Sequence, residues 1–124
     1  MSAGKHHKVT RVYTADDGET YFEDLTIPLH DNGPVGALSE AYPVALMMFR
    51  ENPPGYDWDF HNAPTRQFVV LLDGGVEIEV SSGEKRVIET GEVVLVEDTT
   101  GKGHRTRNLE KRTRKSLFIT LEDH

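Results

Sequence analysis

Cysteine is absent from the 124 residues, which excludes a disulfide framework, a thiolate metal site and a cysteine nucleophile. No apolar run approaches the roughly 18 residues that a membrane-crossing helix needs. The opening stretch, MSAGKHHKV, lacks the apolar core of a secretion signal, so the expected location is the cytoplasm, with no membrane partner. Basic residues are in deficit: 14 Lys and Arg stand against 21 Asp and Glu, a formal net charge of −7. General binding to phosphate backbones needs a basic face, so no nucleic-acid partner is expected. The one basic cluster, Lys111-Arg112-Thr113-Arg114-Lys115, reads by position as a solvated loop between two strands. Several catalytic signatures are missing as well. There is no G-x-S-x-G and no H-E-x-x-H, and Gly101-Lys102-Gly103 is not a phosphate loop. Val96 stands where the first glycine of such a loop belongs, and Gly103 where Ser or Thr should follow the lysine.

What is present is short strands separated by turns. Residues 8–14 (KVTRVYT) alternate with β-branched side chains, and Asp16-Asp17-Gly18 turns the chain into a second strand over 21–27, which Pro28 is expected to stop. Residues 29–42 carry Gly33-Pro34 and Gly36 and read as a long loop, with a helical turn near 37–40. The run 43–50 is apolar at both parities, the pattern of a strand buried on both sides, and Asn52-Pro53-Pro54-Gly55 then bends the chain. Beyond Asp73-Gly74-Gly75, further strands are expected over 76–80, 85–89, 93–97, 104–108 and 116–122. No amphipathic helix of useful length interrupts them, so the chain reads as one all-β domain, a sandwich or barrel.

The stretch 55–75, GYDWDFHNAPTRQFVVLLDGG, is the expected carrier of chemistry. If it is extended, His61 shares a face with Asp59 and Ala63, and Gln67, Val69 and Leu71 keep that phase. Downstream, Glu97-Asp98 and His104 bracket a loop rich in groups that carry protons. A carboxylate beside a histidine in an enclosed pocket is the minimum for general acid–base catalysis, because burial and pairing bring a pKa toward neutrality. Glu97 ends an apolar strand, so desolvation is expected to raise its pKa and make it the proton carrier, with Asp98 as the alternative. Trp58 is placed to roof the pocket or pack on its edge. Arg66 falls out of phase and is expected to pair at the surface, and His6 and His7 are expected to be solvated.

These residues resemble the two motifs of the cupins. The first motif is Gly, five residues, His-x-His, three or four residues, Glu, six residues, Gly; here Gly55, His61-Asn62-Ala63, Gln67 and Gly74 stand at that spacing. The second is echoed by Gly91, by Glu97 where proline is usual, and by His104 and Asn108 after a loop two residues longer than the pattern. The resemblance covers about 43–121, with the strands and loop of 8–42 before it. It implies a single-domain jelly-roll barrel, the double-stranded β-helix, that pairs as a homodimer; the apolar runs 45–49 and 68–72 leave room for such an interface. It also implies a small-molecule ligand held by His61, Gln67, Trp58 and Asn108. His61, Gln67 and His104 would be the metal ligands for a divalent iron, manganese, zinc or nickel ion. Two of the usual ligands are replaced, by Ala63 and Gln67. Three functions follow as expectations: an isomerase, lyase or epimerase-like enzyme using Glu97, Asp98 and His104; a metal-dependent dioxygenase; or a non-catalytic sensor or carrier of a small acid or sugar.

Overall fold

The computed structural model describes residues 5–122; residues 1–4, part of the stretch read as lacking a signal core, and 123–124 lie outside the described residues. In chain order the strands are β1 (Lys5–Thr14), β2 (Thr20–Asp31), β3 (Ala37–Leu38), β4 (Val44–Asn52), β5 (Asp57–His61), β6 (Gln67–Leu71), β7 (Val76–Val80), β8 (Lys85–Ile88), β9 (Val93–Val96), β10 (His104–Asn108) and β11 (Arg114–Leu121). A 3-10 turn, Gly33–Val35, is the one helical piece among the described residues, and none of their helices is long and apolar enough to cross a membrane. A seven-stranded sheet in the order β3-β2-β1-β9-β6-β11-β4 faces a four-stranded sheet, β5-β10-β7-β8. The pairing of β1 with β9 is parallel and every other pairing is antiparallel.

Period-two alternation decides which side chains enter the space between the sheets. Val94 and Val96 of β9, Leu71 of β6 and Val12 of β1 meet Val76, Ile78 and Val80 of β7 there, all buried. The intervening residues Leu95 and Phe68 go to the other face of the seven-stranded sheet, where they join Val9, Leu25, Ile27 and Leu121 in a second cluster. Tyr42 packs edge-on against Phe68, with ring centroids 5.5 Å apart. On β11 the inward parity is Arg114, Ser116, Phe118 and Thr120. Ser116 lies opposite Arg50, and Arg114 opposite Asn52, on β4.

Four expectations are corrected. Pro28 does not end β2: it lies opposite His6 within the ladder. On the strand's far side β3 pairs only with His30 and Asp31, so a residue without an N–H is accommodated. The same pairing places the exposed His6 and His7 in β1. The helical turn falls at Gly33–Val35 rather than at 37–40, where Ala37 and Leu38 pair instead as a strand. The apolar run of β4 is not buried on both sides. It is the edge of the larger sheet, with Phe49 79% and Leu46 64% exposed. Finally, the stretch from 57 to 71 is two strands in two sheets. The chain leaves β5 at His61 and crosses at Pro64 to β6, so Gln67 reaches the interior from the opposite wall to His61.

Candidate functional site

A cavity of about 190 Å³ lies between the sheets. The four-stranded sheet lends Trp58, His61 and His104 to its wall and the seven-stranded sheet Gln67, Arg50, Arg114 and Phe118, with Tyr56 from the turn before β5, while Val69, Leu71, Ile78 and Val94 contribute apolar surface. The histidines meet because register dictates it: His61 of β5 is the direct cross-strand partner of His104 of β10, so both side chains leave the same face. Their ring centroids are 4.6 Å apart. Between His104 and Thr106 the pairing slips, and Thr106 falls opposite Trp58 rather than Asp59. This bulge turns Trp58 to the cavity, where its ring stacks on His61 with centroids 3.5 Å apart and planes 10° from parallel. Bulges commonly re-aim a side chain in this way.

Each imidazole is anchored through Nδ1. Nδ1 of His61 lies 2.8 Å from the carbonyl oxygen of Asp59. A carbonyl only accepts, so Nδ1 carries the proton and Nε2 is left with its lone pair. Nδ1 of His104 donates to Oδ2 of Asp98 at 2.5 Å. Asp98 is fully buried, and its Oδ1 has no hydrogen-bond partner among the described residues. Burial pushes His61 below the ordinary imidazole range. The Asp59 carbonyl opposes this, while the neighbouring His104 and the charge of Arg50 reinforce it.

The loop carrying Asp98 is lashed to the corner after β5. The Ala63 N–H donates to the Asp98 carbonyl at 3.2 Å, and the Asn62 side chain reaches the carbonyls of Asp98 (3.2 Å) and Gly101 (3.1 Å). Gly103 has φ +77°, and a Cβ there would lie 2.3 Å from the His61 carbonyl oxygen. Only glycine allows this approach, which holds the chain entering β10 against the end of β5.

The structure brings together His61, Gln67, Trp58 and His104, with Asp98 behind His104. Two expected site residues are elsewhere. Glu97 does not line the cavity: Val94 and Val96 take the inward parity of β9, and Glu97 is clamped between Nε of Arg11 and Nε of Arg66, each at 2.5 Å. Burial alone would raise its pKa as expected, but the two guanidiniums outweigh burial and hold Glu97 below the usual carboxylate range. Asn108 is likewise outside the cavity wall. It accepts from Nε of Arg114 at 2.9 Å and donates to the Pro53 carbonyl at 3.1 Å, a supporting role.

Sequence reading missed Arg114 and Arg50. Arg114 belongs to the cluster assigned to a solvated loop, yet it is 2% exposed and begins β11. Its Nη2 donates to Oδ1 of Asn52 at 2.7 Å, while Nη1 is buried without a hydrogen-bond partner among the described residues. Burial, and after it the charge of Arg50, push Arg114 below its ordinary pKa. Arg50 lies over the rings of Phe118 and Tyr56, 4.7 and 4.9 Å from their centroids. Period-two counting back from Phe118 and Ser116 would have placed Arg114 inside.

The donor set does not fit the metal centre that the cupin motifs imply. Ala63 presents a methyl group at the second histidine position and Gln67 a neutral amide at the glutamate position. Among the described residues no Asp or Glu lines the cavity, and no three metal-ligating side chains of the His, Cys, Asp or Glu type converge. Two imidazoles and an amide, in a cavity that also holds two guanidiniums, give a dication little charge compensation.

No protein-family model matches the chain. Over 79 residues it is 32% identical to oryzines biosynthesis cluster protein J of Aspergillus oryzae, a match covering 63% of this chain and 42% of that protein. The chain thus spans about two-fifths of that relative's length. Among solved structures, the cupin domain of Schizosaccharomyces pombe Cnp3 superposes with a TM-score of 0.53 at 12% identity, covering 99% of this chain and 86% of that one. The conserved SPY1581 protein of Streptococcus pyogenes gives 0.50 at 15%, covering 70% and 71%. The two-sheet barrel is a cupin fold.

The clamp on Glu97 has a measurable consequence. A carboxylate whose pKa is lowered on folding adds stability that is present above its unfolded pKa and lost as pH falls through the folded one. Glu97→Gln is therefore expected to cost about 1–3 kcal/mol near pH 7, with the gap to wild type closing as pH drops below 4.5, the unperturbed value. Urea denaturation across that range checks it; equal stabilities at pH 7 would contradict the clamp.

Proposed function

We propose that this cupin is an acid–base enzyme acting on a small organic molecule, with the Asp98–His104 pair as its proton-transfer unit. The observation that carries the reading is the 2.5 Å hydrogen bond from a cavity-lining imidazole to a fully buried carboxylate. Asp98 fixes the tautomer and orientation of His104 and stabilises the imidazolium formed when Nε2 accepts a proton. His61, desolvated and tied through Nδ1, presents a second basic Nε2, and Gln67 and Thr106 supply polar contacts for orientation. In the reaction class that suits this arrangement, a proton leaves a substrate carbon for Nε2 of His104. It is then returned at another position or face, as in isomerisation or epimerisation, or a β-substituent departs, as in elimination. No metal enters these steps. The membership of the Aspergillus relative in a biosynthesis cluster supports small-molecule chemistry.

The reading is tested by incubating the protein in D2O with hydroxy acids, keto acids and free sugars, and following deuterium uptake by NMR. Wild type is expected to exchange a carbon-bound proton in at least one class. Asp98→Asn, which keeps size but loses the charge, should slow that exchange by roughly 10²–10⁴. Exchange in no class, or unchanged exchange in Asp98→Asn, would refute it.

We also propose a second copy of this chain as the partner. The outer side of β4 is an open edge, and Val44, Leu46, Met47, Met48 and Phe49 are all exposed along it. No charge interrupts 44–49, although soluble proteins usually protect such edges with charge or proline. An antiparallel pairing of β4 with its own copy covers both rows of side chains at once. Sedimentation is expected to find a dimer that Leu46→Glu with Phe49→Glu converts to monomer; a monomeric wild type at tens of micromolar would exclude it.

A further inference from the structure

The arginine wall has no part in the proton transfer, and among the described residues no carboxylate pairs with it. The chain carries seven more acids than bases, yet among the described residues no carboxylate lines the cavity, whereas two guanidiniums do. Among the described residues neither Arg114 nor Arg50 has a carboxylate within ion-pair distance. Asp73, whose charge acts on Arg114 only through space, is 3.7 Å from Arg112 and accepts from the Lys115 backbone N–H at 2.6 Å. Asn52 and Asn108, both neutral, occupy Nη2 and Nε of Arg114; Nη1 is buried with nothing to donate to. The rings of Tyr56 and Phe118 offset part of the charge on Arg50.

An ionised guanidinium out of water with an idle donor is unfavourable unless something supplies an acceptor and a negative charge. Building on the proton-transfer reading of the same cavity, we infer that the substrate is a monocarboxylate whose carboxyl group is received by Arg114 and Arg50. Its apolar body lies along Val69, Leu71 and Ile78, toward the histidine pair. A carboxylate suits this wall better than a phosphate. A planar group with two oxygens matches the few guanidinium donors left open, and the mostly apolar surroundings offer little to a third oxygen or a second charge. The same anion would sit between two like charges that otherwise repel each other along the wall.

Calorimetric titration of the whole protein with straight-chain monocarboxylates from acetate to octanoate, each matched with its primary amide, tests this. At least one acid is expected to bind about tenfold or more tightly than its amide. Arg114→Met should reduce that preference to about threefold or less. Because Arg114 also braces Asn52 and Asn108, Arg50→Met provides the same test where Arg114→Met does not fold. Acids and amides of equal affinity, no binding by any acid, a preference surviving in the folded arginine variants, or tighter binding of hexyl phosphate than of every carboxylate would each overturn the inference. The two proposals fail separately. Acid-selective binding without deuterium exchange would retain the carboxylate receptor and refute the proton transfer, whereas exchange confined to neutral sugars would do the reverse.

Discussion

The site depends on one cross-strand pairing, His61 against His104. Neither residue is next to the other in sequence, and they lie on strands that a single slip of register would turn to opposite faces. The slip is prevented from both ends. Gly103 lets the chain press onto the His61 carbonyl, and the corner at Asn62 and Ala63 is hydrogen-bonded to the Asp98 loop. The bonds that fix the register thus also place the carboxylate behind His104. The bulge two residues on brings Trp58 flat against His61. Position, tautomer and desolvation of the imidazoles are products of one piece of backbone geometry.

Charge is distributed against the bulk composition. Acids outside the cavity are engaged with bases, in pairs such as Arg11–Glu23, Arg86–Asp24 and Lys102–Glu19. Asp98, the acid bonded to a cavity-lining imidazole, is shielded behind His104. The cavity wall is left neutral or positive. The positions that match the cupin metal motif agree with this: Ala63 and Gln67 stand where a histidine and a glutamate would favour a cation. The arginines favour an anion. The replacements and the arginine wall together describe a pocket with its electrostatic preference reversed relative to a metal centre.

Much of this was legible in the residues. Alternation and glycine-marked turns gave the strands of the barrel, and motif spacing placed His61, Gln67 and His104 in one cavity despite the break at Pro64. Two errors share a physical cause, the weighing of a residue by its neighbours' composition rather than by its parity. Glu97 follows the apolar run Val93–Val96 and so looked like a cavity residue, but the inward positions are Val94 and Val96, and the next residue turns to the other face of the sheet. Arg114 sits among lysines and arginines and so looked solvated, but it shares parity with Ser116 and Phe118. The run at β4 was read both as a strand buried on two sides and as room for an interface, because an uninterrupted apolar run looks the same in a central strand as in an edge strand. The phase change at Trp58 came from a bulge, which sequence does not announce.

The account rests on two imidazoles held as Nδ1–H tautomers, each with a bare Nε2 available to a proton. Nitrogen-15 NMR of histidine-labelled protein at neutral pH reads this directly, because protonated and bare ring nitrogens resonate far apart. The account predicts that His61 and His104 both show a protonated Nδ1 and an unprotonated Nε2. A proton on Nε2 with a bare Nδ1 at His104 would break its bond to Asp98 and contradict the proton-transfer unit.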